Sequence, residues 1–184
     1  MIEGMNYTDV TLDIETLSVR PNAQVLSISA IGFNPFEITT DFTNNPKLDV
    51  IVSLEEQEHR DVQEDTLWWW TKRDQKVQDK MFSDVRTPVD ESLDQLIKFC
   101  WQKNRIWCQG PTLDITILIH LFEERKKGVP WSYGAVRDSR TLLDLVEVEQ
   151  PPVTHDSIED CIRQTMGVQQ ALKKLGVTKF VRIR

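Results

Sequence analysis

A chain of 184 residues, 40% hydrophobic and 28% charged, is long enough to bury one substantial core, and its composition excludes wholesale disorder. No apolar run approaches the roughly 18–20 residues of a membrane span, and Met1-Ile2-Glu3-Gly4-Met5 lacks the basic-then-apolar pattern of a signal peptide. The net charge of −7 argues against a simple phosphate-binding surface, unless gathered carboxylates hold cations that reverse the local charge.

Three cysteines, Cys100, Cys108 and Cys161, form no CxxC pair and fit a reduced, cytoplasmic setting. Basic clusters stand at Lys103 with Arg105, at Arg125-Lys126-Lys127, and from Lys173-Lys174 to Arg184; most such runs are solvated surface. No repeat or Gly/Ser linker interrupts the chain, so residues 1–184 read as a single domain.

Thr8 to Leu12 alternates and reads as a strand running into Asp13. Val25–Phe33 reads as a second strand and Phe36–Phe42 as a third, with Asn34-Pro35 as the turn between them. Helical signals follow. Asp61 to Lys80 is polar around the apolar knot Leu67-Trp68-Trp69-Trp70, and Val89, Leu93, Leu96, Ile97 and Cys100 form a buried helical stripe after Pro88. Arg105–Cys108 is a short strand ended by Gly110-Pro111. Thr112 caps a helix to about Lys126, ended by Gly128 and Pro130. A further helix is expected over Thr141–Val146. The last runs from Ser157 to Leu175, with Asp156 as N-cap and Glu159 completing a capping box; Cys161, Thr165, Val168, Leu172 and Leu175 face a core, and Gly176 ends it. Strands followed by helix, strand and helices predict an α/β fold, a mixed sheet with flanking helices.

Asp13 and Glu15 lie two apart on a strand, so both carboxylates emerge on one face. Such a pair repels unless a cation sits between them, and hard divalent ions are bound by carboxylate oxygens, water and phosphate. Alone, D-x-E is a common surface pair. Asp114 is a charge inside the apolar run Leu113–Phe122 and shares a helical face with Leu118 and Leu121, so it points inward. Asp160 stands one turn inside the last helix, on a stripe with Gln164, Gly167 and Ala171; a carboxylate on so close-packed a face needs a partner, and a metal shared with Asp13 serves. His155 immediately precedes that helix.

In their order these residues resemble the three motifs of the DEDDh (DnaQ-like) 3′–5′ exonuclease family: Leu12-Asp13-Ile14-Glu15-Thr16-Leu17, a central Asp114, and His155-Asp156-Ser157-Ile158-Glu159-Asp160. Thr66-Leu67-Trp68-Trp69-Trp70, Ile106 to Asp114, Pro130-Trp131-Ser132-Tyr133 and Arg137 to Leu142 are similar to a narrower branch, the phage DexA-like nucleases and the small bacterial 3′–5′ exoribonucleases. Pro111-Thr112-Leu113 and Asp156-Ser157 depart from the residues usual there, without removing a ligand.

The resemblance implies a ribonuclease-H-like fold and two Mg²⁺ or Mn²⁺ ions on Asp13, Glu15, Asp114 and Asp160, with His155 as general base. It implies that Gln164 orients Asp160 and that Thr16 and Leu17 contact the terminal nucleotide, Leu17 against the base. Trp69 and Trp70 read as core rather than as stacking platforms. The implied activity is release of 5′-mononucleotides from the 3′ end of single-stranded DNA or RNA, with DNA slightly favoured. A 3′–5′ exoribonuclease is the neighbouring alternative, and a non-catalytic nucleic-acid-binding module on the same fold is the alternative of another class. No membrane partner is expected, and six tryptophans supply enough apolar area for a homodimer face.

Overall fold

A computed structural model describes residues 7–180; the last residues of the basic C-terminal tail lie outside them. Five strands form one mixed sheet in the order β3-β2-β1-β4-β5. They are β1 (Asp9–Thr16), β2 (Val25–Phe33), β3 (Lys47–Ile51), β4 (Arg105–Cys108) and β5 (Val136–Asp138). β1, β2 and β3 run antiparallel in sequence, whereas β4 and β5 are parallel to β1. The helices are α1 (Glu64–Trp70), α2 (Gln75–Met81), α3 (Val89–Cys100), α4 (Pro111–Glu124), α5 (Ser139–Leu143) and α6 (Ser157–Lys174).

The two faces of β1 do different work. Val10, Leu12 and Ile14 join Leu93, Leu96, Leu118 and Leu121 of α3 and α4 in the largest apolar cluster. Thr11, Asp13 and Glu15 alternate to the opposite face, which α6 covers: the Thr11 hydroxyl lies 2.6 Å from that of Thr165 and donates to the Cys161 carbonyl at 3.1 Å. Period two on the strand therefore puts the acids beneath α6 and the aliphatics beneath α3 and α4.

Two expected elements differ. The third strand is not Phe36–Phe42 but β3, in which Leu48 and Val50 are buried while Lys47 and Asp49 face water. Between β2 and β3 the chain turns. The Asp41 carboxylate accepts from the Thr43 N–H (2.9 Å) and the Gly32 N–H donates to the Pro46 carbonyl (2.9 Å), so local side-chain bonding displaces ladder pairing over residues 36–42. The expected helical stretch Asp61–Lys80 breaks into α1 and α2, because Asp74 caps the second helix through the Lys76 N–H (2.9 Å). Asp61 itself is taken by Ser18 and Arg20.

Boundaries shift for similar reasons. α4 starts at Pro111, with Gly110 at φ 116° in place of a Thr112 cap, and it stops at Glu124, where Lys126 takes the left-handed conformation expected nearer Gly128. α5 begins before Thr141 because Asp138 caps it through the Arg140 N–H (3.0 Å). Asp156 caps α6 through the Ile158 N–H, without a return bond from Glu159 among the described residues, and Gly176 (φ 68°) follows its end. Leu175 is 40% exposed rather than core. None of the described helices is long and apolar enough to cross a membrane.

Candidate active site

β1 carries Asp13 and Glu15 to the edge of the α6-covered face, where the ladder to β2 slips between Glu15 and Thr16. α4 brings Asp114 in its first turn, and α6 brings Asp160 in its own; both are 5% exposed. Glu15, His155 and Asp160 each place one ligand atom within 4.8 Å of the others. Asp13 and Asp114 interact electrostatically with this group. Burial, then Asp114, Glu15 and Asp160, push the Asp13 carboxyl well above its usual range. Burial, then Asp160 and Asp114, do the same to Glu15. Asp114 is pushed up to about 7, chiefly by burial, against hydrogen bonding from the Ile14 backbone. The raised Asp13, Glu15 and Asp114 carboxyls ionise together more readily beside added positive charge.

Asp160 is held firmly. Its Oδ1 accepts from the Thr154 N–H (3.0 Å) and its Oδ2 from the His155 N–H (2.8 Å). These two bonds hold the turn in which His155 sits at φ 61°, a left-handed conformation that non-glycine residues seldom adopt and that persists at functional sites where surroundings enforce it. The imidazole is half-buried and edge-on to Trp69, 4.6 Å between ring centroids. Burial, with Arg73 nearby, lowers its pKa from 6.5 despite the Asp160 charge.

Gln164 does not orient Asp160 as the resemblance implies. Its Nε2 instead donates to Asp13 Oδ1 at 2.9 Å, because one turn along α6 lies over β1 rather than back toward the helix start. Its Oε1 is buried without a hydrogen-bond partner. Leu17 is also placed differently from expectation: 4% exposed, it packs with Leu26, Trp70, Val77 and Met81, so its side chain is spent on the core rather than on a base. Thr16 donates to the Ser18 carbonyl (2.7 Å), and its own carbonyl accepts from Trp70 Nε1 (3.0 Å). A cavity of about 490 Å³ does open beside Thr16, lined by Glu15, Val19, Thr66, Trp69 and Leu113. Of the two tryptophans read as core, Trp70 is core and the half-buried Trp69 lines this cavity.

Residues not singled out from sequence support the site. Ser27 and Ser29 pair in register with Glu15 and Asp13. Their hydroxyls lie 2.9 and 2.7 Å from that of Ser157, the departure noted in the third motif. Lys80 spans from Asp49 (2.9 Å) to Asp156 (2.6 Å), tying α2 and β3 to the cap of α6. The only signal for them in the sequence is the period-two serines inside an otherwise apolar strand.

Residues 8–172 match the model of a 3′–5′ exoribonuclease Rv2179c-like domain. The chain is 24% identical over 208 aligned residues to an exodeoxyribonuclease of Enterobacteria phage T4, covering 90% of this chain and 89% of that one. Among solved structures it is similar to the nuclease domain of 3′hExo, a DEDDh family member bound to rAMP (TM-score 0.62, 10% identity, 97% of this chain and 98% of that one). It is likewise similar to S. pombe Pop2p in a Mg²⁺- and Mn²⁺-bound form (TM-score 0.63, 8% identity, 95% and 86%). The fold is that of the ribonuclease-H-like nucleases.

Proposed function

Since the chain belongs to the 3′–5′ exoribonuclease Rv2179c-like domain family, and so is a 3′–5′ exonuclease of the DEDDh type, we propose that it releases 5′-mononucleotides one at a time from the 3′ end of single-stranded nucleic acid, using two Mg²⁺ or Mn²⁺ ions. The observation that supports this reading is that ligand atoms of Glu15, His155 and Asp160 lie within 4.8 Å of one another, with the charges of Asp114 and Asp160 felt at both Asp13 and Glu15. The donor set fits such ions: it is all oxygen from carboxylates, it is under-compensated in charge, and Gln164 Oε1 stands beside it as a buried acceptor without a donor. Bound divalent ions supply positive charge at the phosphodiester and ease deprotonation of the attacking water.

The chain's own residues do the rest. Asp13, Glu15, Asp114 and Asp160 hold the ions, with Gln164 fixing the rotamer of Asp13. His155 takes the proton of the attacking water; burial lowers its pKa from 6.5, which favours the neutral imidazole that can accept one. The cavity beside Thr16 takes the terminal nucleoside between Trp69 and Leu113, with Thr16 rather than Leu17 among its lining residues.

DNA is slightly favoured as substrate, supported by the phage T4 relative that spans the chain nearly end to end. RNA is the second reading, supported by the family description. Matched 5′-labelled DNA and RNA oligonucleotides with Mg²⁺ or Mn²⁺ decide it. A ladder shortening one nucleotide at a time is expected, faster on DNA. Immediate release of the labelled 5′ nucleotide, or cleavage of a circular strand, refutes the 3′-exonuclease reading, and binding without product leaves the non-catalytic module.

A further inference from the structure

Arg73 closes the turn between α1 and α2. Its N–H bonds to the Trp70 carbonyl (3.0 Å) and its own carbonyl accepts from Gln78 Nε2 (2.8 Å), so its backbone is fixed. Its guanidinium lies 4.1 Å from the centroid of the Trp69 ring, and Trp69 in turn abuts His155, so a permanent cation stands one ring away from the imidazole. Arg73 and His155 line one open cavity of about 490 Å³, with Lys72 and Lys76 on its rim.

The charge of Arg73 is felt at both Glu15 and His155. Yet no ion pair joins Arg73 to any carboxylate among the described residues, and its Nε is buried with no hydrogen-bond partner. Asp160 is committed to two backbone N–H groups, Asp13 to Gln164 and Asp156 to Lys80, while Glu15 feels the Arg73 charge without an ion pair to it among the described residues. A buried donor left unmet is costly, and a planar five-donor fork matches the oxygens of a phosphate. Acids around a metal centre and an unspent arginine fork beside it are complementary to one ligand, a phosphodiester.

Resting on the exonuclease reading of this site, we propose that the Arg73 guanidinium binds the phosphate of the reacting nucleotide through its non-bridging oxygens, and stays on the 5′-phosphate of the released mononucleotide. Arg73 is then a substrate-contacting residue that acts on phosphate and not on the nucleoside.

The test compares binding of deoxyadenosine 5′-monophosphate and of deoxyadenosine, with Mn²⁺ present, to wild type, Arg73→Gln and Arg73→Lys by calorimetric titration. Arg73→Gln is expected to weaken the mononucleotide roughly ten- to hundredfold, the usual reach of a charged hydrogen bond, while nucleoside binding and the Mn²⁺-induced rise in Tm stay as in wild type. Arg73→Lys is expected to fall between, since it keeps charge and loses the fork. Unchanged mononucleotide affinity in Arg73→Gln overturns the proposal. So does an equal loss for nucleoside and mononucleotide, which marks a shape effect, or a lost Mn²⁺ response, which marks an effect on the metal ligands. If the wild type neither binds the mononucleotide nor shortens oligonucleotides, the exonuclease reading itself fails and takes this assignment with it; an active wild type with an indifferent variant removes Arg73 alone.

Discussion

Asp114 shares the cost of assembling the site with Asp13 and Glu15, and replacing it with asparagine measures its share. Burial lifts its pKa from 3.8 to about 7 in the folded chain. Between these values the folded state holds a proton that the unfolded state has released, so stability falls as pH rises. The contribution is fully present below about pH 4 and lost as pH climbs through about 7. Ionising Asp114 in the fold at pH 8 costs on the order of 4 kcal/mol relative to the unfolded chain, of which about 2–3 kcal/mol falls between pH 5 and pH 8. For a chain of this length that is about 5–10 °C in Tm. The amide introduced by Asp114→Asn keeps an acceptor for the Ile14 N–H and carries no charge. Thermal unfolding in chelator from pH 5 to pH 8 should therefore show a steep decline for wild type and a decline shallower by that amount for Asp114→Asn. Addition of Mn²⁺ should restore the wild type at pH 8, by about 2.7 kcal/mol at one hundred times the dissociation constant, and leave the variant largely unmoved and inactive. Parallel pH profiles for the two proteins in chelator would refute the reasoning, because the burdened carboxylate would then lie elsewhere.

Three further outcomes separate roles within the site. His155→Ala should lose about 10²–10⁴ in rate while keeping its Mn²⁺-induced rise in Tm; loss of that rise would make His155 a ligand, as its place within 4.8 Å of Glu15 and Asp160 permits. Gln164→Leu removes the bond to Asp13 and should weaken metal affinity about 10- to 100-fold, read by titrating Mn²⁺ against activity, with wild-type affinity refuting a role for the amide. Lys80→Met cuts the tie between Asp49 and the α6 cap, and hydrogen exchange should rise at residues 154–157 ahead of the sheet; unchanged exchange there means that the cap is held without it.

The strand from Thr8 to Leu12 running into Asp13, the runs Val25–Phe33 and Arg105–Cys108, the stripe of α3 and the capped start of α6 were legible in the chain because each rests on local periodicity, a cap or a turn residue. The same period placed Asp13 and Glu15 on one face, and the helical repeat turned Asp114 inward. Other features depended on segments far apart in sequence. β5 is three residues that mean nothing without β4 beside them. Leu17 lies next to a metal-motif residue yet is sealed by Trp70 and Met81, which come from a distant stretch of the chain. Gln164 bonds Asp13 across 151 positions rather than Asp160 one helical turn away. Of two adjacent tryptophans, one fills the core and the other lines the site beside His155. The sequence by itself determined which face each acid occupies, since that follows from bond geometry within one element. Only the tertiary structure decided what each face meets, because burial and hydrogen-bond partners are set by whichever distant segment packs against it.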